Sequence, residues 1–202
     1  IDASADIQDA SHKIMTSKTF DNATSCSSEN SIIVIESVYE PMIESLIKEG
    51  GSLLDDAEKS KLQATMWNDK GIINRDVIAK KSNEIAILAG LSEKHSSSKF
   101  LMVEEQNVGP KYPFSMEKLS PVLTVYRAQN FDHAVRIASS ILENQGKGHS
   151  CGIHSQDEDN ILKLGMELPV CRIIVNQAHC FATGGNFDNG LPFSLSMGCG
   201  TW

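Results

Sequence analysis

Cys26 stands in a hydroxyl-rich run, Thr24-Ser25-Cys26-Ser27-Ser28, rather than among apolar neighbours. A turn of this composition that aims backbone N–H groups at the sulfur favours the thiolate, lowering a pKa ordinarily at about 8.5 and making a nucleophile. The alternative is a packed thiol acting as a small hydrophobe. His149 follows Gly146-Lys147-Gly148. On so pliable an approach an imidazole exchanges protons near neutral pH, as a general base must; a solvated loop histidine is the plainer reading. Glu117, in Phe114-Ser115-Met116-Glu117-Lys118-Leu119-Ser120-Pro121, enters a strand-like run. A carboxylate there accepts hydrogen bonds from ligand hydroxyls, or is simply a surface charge beside a lysine. His149, Cys151, His154, His179 and Cys180 include the ligand types zinc prefers, but their spacing fits no standard zinc pattern and no metal is expected. The glycines at 184, 185, 190, 198 and 200 permit close backbone approach, yet they form neither a dinucleotide fingerprint nor a phosphate loop, and an irregular loop is expected there.

Rigid elements must hold these residues. Asp2 and Ser4 are N-cap types, and Ile7, Ala10, Ile14 and Met15 recur at helical spacing, predicting a helix over 3–17 that Phe20-Asp21-Asn22 breaks. Ser31-Ile32-Ile33-Val34-Ile35 is short and β-branched, as a buried strand is. Helices are predicted over 38–48, ending at Gly50-Gly51, over 55–67, and over 76–89, closing at Gly90. Residues 100–103 and 122–126 read as strands separated by a loop with Pro110, Pro113 and Pro121. Then come a helix over 131–142, a short strand over 151–153, a helix over 157–166 and a strand over 171–175. Strands alternating with helices predict an α/β fold with a mostly parallel sheet flanked by helices, because parallel pairs need crossovers that helices supply.

Composition narrows the function. Hydrophobic residues at 41% and charged residues at 22% are those of a globular domain. Eighteen Lys and Arg against 26 Asp and Glu leave a net charge of −8, so no nucleic-acid partner is expected. The run from Ile32 to Ile35 is far short of the ~20 apolar residues of a membrane helix, and no signal segment is evident, so a soluble protein with no membrane partner is expected. The five cysteines (Cys26, Cys151, Cys171, Cys180, Cys199), an odd number with no CxxC pair, favour a reducing, cytoplasmic setting. The chain opens on Ile1 and stops within a glycine-rich stretch, so a piece of a longer polypeptide is expected.

Several segments together carry more than any one alone: the run from Ser17-Lys18-Thr19-Phe20-Asp21-Asn22 through Cys26 to Glu29; Glu117-Lys118-Leu119-Ser120-Pro121; Gly148-His149-Ser150; and Met197-Gly198-Cys199-Gly200-Thr201-Trp202. Over essentially all 202 residues the chain resembles the catalytic portion of the CoA-acylating aldehyde dehydrogenases. Thr24-Ser25 stands where hydrolytic members typically carry Gly-Gln, which favours the acylating branch. The resemblance implies that residues 1–202 form the catalytic domain, with a dinucleotide-binding domain before it and an oligomerisation segment after it, in a homo-oligomer. It implies Cys26 as the nucleophile, Glu117 as the carboxylate facing the nicotinamide ribose of NAD, and His149 as the histidine of the CoA half-reaction. The implied partners are a small aldehyde and coenzyme A, and the implied product is an acyl-CoA formed through a cysteine thioester. The preceding domain would hold most NAD contacts and an oxyanion donor, leaving the isolated chain with little or no activity. Acetaldehyde is the default substrate; the polar segment 177–185 leaves sulfoacetaldehyde open, with Arg172 the nearest cation in sequence. A hydrolytic dehydrogenase giving a free acid, and a non-catalytic binding or assembly module, are the alternatives.

Overall fold

The computed structural model describes residues 1–185 and 190; the motif from Met197 to Trp202, with Cys199 in it, lies outside the described residues. Four parallel strands form one sheet in the order β1 (Ser31–Ile35), β4 (Val122–Ala128), β3 (Phe100–Glu104), β2 (Gly51–Leu53). A separate parallel pair joins β5 (Gly148–Ile153) to β6 (Val170–Val175). The expected α/β fold is therefore present, with its parallel strands divided between two sheets.

Alternation along the strands explains the layers. On one face Ile32, Val34, Phe100, Met102, Leu123 and Val125 meet α1 (Ile7–Thr19) and α2 (Tyr39–Lys48) through Ala10, Ile14, Met42, Ile43 and Leu46. On the other face Leu101, Val103 and Val122 meet Leu62 and Met66 of α3 (Asp56–Met66) and Ile85 of α4 (Ser82–Leu88). A sheet covered on both sides needs apolar residues at successive positions, which is why these strands read as continuous hydrophobic runs. Each such side chain removed from water contributes about 1.5–3 kcal/mol. The small sheet packs with α5 (Phe131–Asn144) and α6 (Glu158–Glu167) around Val135, Leu142, Ile153 and Leu164.

Three expectations need correction. Asp2 does not cap a helix: it is buried, and its carboxylate accepts hydrogen bonds from the Ser4 and Ser155 hydroxyls at 2.7 Å each. Asp6 is the cap of α1, accepting the N–H groups of Gln8 and Asp9. The helix expected over 76–89 is broken: a 3-10 turn at Arg75–Val77 precedes Ala79 at φ 60°, and α4 begins only at Ser82. The third is β2, whose glycines read from sequence as the end of a helix. Gly51 lets it lie against β3, since a β-carbon there would come within 2.6 Å of the Phe100 ring. Among the described residues, no helix is long and apolar enough to cross a membrane.

Candidate active site

The chain reaches Cys26 through three successive residues in the left-handed region, Asp21, Asn22 and Ala23, at φ 48°, 51° and 56°. Short Asp and Asn side chains tolerate this backbone by bonding locally, which gives the Phe20-Asp21-Asn22 run a physical reason. Cys26 then occupies the second position of a turn closed by the Ser28 N–H on the Ser25 carbonyl at 3.0 Å. Glu117 sits on the loop entering β4. The two loops are tied twice. The Asn22 amide donates to the Ala79 carbonyl at 3.0 Å while the Ala79 N–H donates to the Leu119 carbonyl at 3.1 Å. Asn30 accepts the Lys118 N–H on its side chain at 3.0 Å and the Thr124 N–H on its carbonyl at 3.1 Å. Because β1 and β4 are parallel neighbours, with Ser31 opposite Thr124, both loops emerge at the same, N-terminal, edge of the sheet.

His149, second residue of β5, completes the set. Gln145 joins it to the others: it caps the C-terminus of α5, and its side-chain oxygen accepts the Glu117 N–H at 2.8 Å. Cys26, Glu117 and His149 all line one cavity of about 320 Å³. Four polar atoms on its walls are buried without a protein hydrogen bond among the described residues: Ser28 Oγ, Glu29 Oε2, Ser31 Oγ and His149 Nε2. Buried polar atoms are normally paired, so such a group of exceptions suits a polar ligand.

The electrostatics distinguish the groups. Burial lowers the His149 pKa below the ordinary imidazole value; Arg172 and His179 add to the effect and Glu117 opposes it. His149 Nδ1 lies 2.9 Å from Ser150 Oγ, so the tautomer that donates from Nδ1 leaves the Nε2 lone pair for a proton. Burial pushes the Cys151 and Cys180 thiols up to about 11, which leaves them poor nucleophiles at neutral pH. The Glu117 carboxylate, half-buried at the cavity, makes no hydrogen bond to the protein among the described residues and is available to ligand hydroxyls. No three His, Cys, Asp or Glu side chains gather as a metal site requires among the described residues.

Residues not singled out from the sequence stand behind the loops. Lys118 is fully buried and donates from Nζ to the Phe114 and Met116 carbonyls at 2.8 and 2.9 Å. Lys18 is buried beside Glu29; burial draws its pKa down to about 7 against the attraction of that carboxylate. His179, named from the sequence only among the zinc-type ligands, is the first residue of α7 (His179–Gly184) and also lines the cavity. Both lysines sit inside the quoted motifs, which is the available signal; α7 forms where the sequence reading places no element.

Residues 1–191 match the sequence model described as the aldehyde dehydrogenase family. The chain is 57% identical, over its whole length and 41% of the relative's, to sulfoacetaldehyde dehydrogenase (acylating) of Cupriavidus necator. It is 34% identical, again over its whole length and 44% of the relative's, to succinate-semialdehyde dehydrogenase (acetylating) of Clostridium kluyveri. An acetylating aldehyde dehydrogenase of Geobacillus thermoglucosidasius superposes with a TM-score of 0.93 at 38% identity, covering 99% of this chain and 44% of that one. The chain thus spans less than half the length of these relatives.

Proposed function

The chain belongs to the aldehyde dehydrogenase family, and from that premise we propose that it is the catalytic portion of a CoA-acylating aldehyde dehydrogenase acting on a short aldehyde that carries an acid group. The observation that carries the reading is the single cavity shared by Cys26, Glu117 and His149, with His149 Nε2 buried on its wall and lacking a protein partner among the described residues. The substrate class rests on the relatives named for sulfoacetaldehyde and succinate semialdehyde, both anionic aldehydes. The rest of the relatives' length is where a dinucleotide-binding domain and an oligomerisation segment would sit.

In this reading the Cys26 thiolate adds to the aldehyde carbon, forming a C–S bond and an alkoxide. Backbone N–H groups of the Ser25–Ser28 turn and a donor from the preceding domain stabilise that oxygen. Glu117 fits NAD, since its carboxylate at the cavity suits ribose hydroxyls, and the bound dinucleotide would supply the hydride acceptor for the oxidation. The collapsing alkoxide leaves an acyl thioester on Cys26. His149 Nε2 then takes the proton of the CoA thiol, whose sulfur attacks the acyl carbon and displaces Cys26 as thiolate. Hydrolysis is the competing outcome, and omission of CoA separates the two.

The test uses the full-length polypeptide. His149→Ala should slow acyl transfer to CoA by about 10²-fold or more, the usual contribution of a general base, while the first-turnover burst of NADH falls far less. Equal loss of both, or steady NADH formation without CoA, would overturn the reading.

A further inference from the structure

We propose that residues 28–31 form a carboxamide subsite for the acyl acceptor, Glu29 Oε2 accepting the N–H of the amide two carbons from the CoA sulfur while the Ser28 and Ser31 hydroxyls donate to its carbonyl oxygen. The inference rests on the acylating reading above and names what orients the thiol between Cys26 and His149.

Of the four buried polar atoms on the cavity wall that lack a protein hydrogen bond among the described residues, the proposed reaction uses one, His149 Nε2. The other three, Ser28 Oγ, Glu29 Oε2 and Ser31 Oγ, fall within four consecutive residues just past the nucleophile. Ser28 and Glu29 are only 6% and 7% exposed. A buried polar atom left bare is costly, and more so when charged, so a run of three on one wall suits a ligand of matching polarity. The fold holds this run at both ends. The Ser28 N–H closes the turn onto the Ser25 carbonyl, and Ser31 enters β1 opposite Thr124 of β4. Between them Asn30 is fixed twice, its side-chain oxygen by the Lys118 N–H and its carbonyl by the Thr124 N–H. With that oxygen taken, Asn30 offers the cavity its NH2 group as a further donor. A segment braced in this way has little to reorganise on binding.

The order of donors and acceptors selects the ligand. A hydroxyl on either side of a carboxylate suits a group that both gives and takes a hydrogen bond, as an amide does through N–H and C=O. Glu29 Oε1 already faces the His179 N–H at 3.4 Å, which leaves Oε2 as the open acceptor among the described residues. Charge selects further. Glu29 is offset by buried Lys18, which stands outside the cavity lining. A sulfonate or carboxylate at this wall would face the Glu29 charge, so the acid end of the aldehyde lies elsewhere and a neutral dipole fits. In the arm of CoA a sulfur, two carbons and an amide follow in that order. With the thiol at His149 Nε2 and the acyl group on Cys26, that amide comes next along the cavity that all these residues line. The carboxamide of the nicotinamide has the same polarity, and the experiment separates the two sources.

The full-length polypeptide, supplied with NAD and aldehyde, transfers its acyl group to either of two thiols of equal length: N-acetylcysteamine, which keeps the amide of the CoA arm, and pentanethiol, which lacks it. The ratio of kcat/KM for the two acceptors is the readout. Ser31→Ala should lower this ratio about 3- to 10-fold, and Glu29→Gln, which exchanges a charged acceptor for a neutral one, about 5- to 10-fold. Ser31→Ala removes a hydroxyl that bonds nothing in the fold among the described residues, so the fold does not depend on it. A ratio within about 2-fold of the unsubstituted protein in either variant overturns the proposal. A raised KM for NAD with the ratio unmoved also overturns it, assigning the wall to the nicotinamide. NADH formation independent of any thiol in the unsubstituted protein would instead overturn the acylating reading, a separate outcome.

Discussion

At His149, burial and then the Arg172 guanidinium disfavour the imidazolium, and the Glu117 carboxylate only partly offsets them. The base form therefore persists to a pH below the ordinary imidazole value of 6.5. Acyl transfer to CoA, measured in single turnovers against pH, should lose activity only below that value. Removing the cation in Arg172→Gln relieves the repulsion of the imidazolium, so its pKa rises and the acid limb of the profile moves to higher pH. An unmoved limb would mean that another group controls it. The three candidate residues are legible in the sequence for unequal reasons. Cys26 is marked by its own polar company, whereas Glu117 and His149 gain weight only through the resemblance. His179 has no local signal for a cavity wall, because its seat is made by the missing side chain of Gly152, 27 positions away in the chain.

The loops bearing Cys26 and Glu117 are braced by backbone conformations that L-residues adopt at a cost. Ala79 at φ 60° is exposed, and its N–H holds Leu119, itself at φ 46°. Left-handed backbone costs a non-glycine residue about 1–2 kcal/mol, and glycine returns part of that gain as unfolded-chain entropy. Ala79→Gly should therefore raise the melting temperature by roughly 1–3 °C with the Leu119 bond intact. Asn22→Ala, which removes the amide from the Ala79 carbonyl, should lower it by a similar amount. Melts in the opposite directions would show that these contacts do not brace the loops. The same conformations explain where the sequence falls silent. The β-branched runs of β1, β4 and β6 are legible, and α3 announces itself through its Asp55 cap. The break before α4 is set by the tertiary bond at Ala79, and β2 is three residues whose only cue is a glycine pair.

One buried polar cluster ties the large sheet to its helices and sets the response of the molecule to acid. Glu58 of α3 accepts the Ser92 hydroxyl at 2.7 Å, lies 2.9 Å from His95 Nε2 and 3.2 Å from Lys94 Nζ, while His95 Nδ1 meets Ser52 Oγ of β2 at 2.7 Å. Burial alone would raise the Glu58 pKa; the bonds from Ser92, His95, the Asp55 backbone and Lys94 outweigh it and hold the carboxyl at about 2. A carboxyl held below its unfolded value of 4.5 stabilises the fold fully above that pH and loses the contribution as pH falls toward 2. Melting temperatures of the unsubstituted chain should drop more steeply between pH 4.5 and 2 than those of Glu58→Gln, which should be the less stable protein at neutral pH by about 1–3 kcal/mol. Parallel curves would remove Glu58 from the account.

The division of the strands into two sheets has its own outcome. In the proposed reaction the thiol and the ribose-facing carboxylate ride on the four-stranded slab, while the proton acceptor for the second half-reaction rides on the two-stranded one. Capture of the aldehyde and hand-off of the acyl group are thus borne by separate sheets, and the Gln145 hydrogen bond to the Glu117 N–H, with Ile33 of β1 packed on the core of the minor slab, is what keeps the two halves in step.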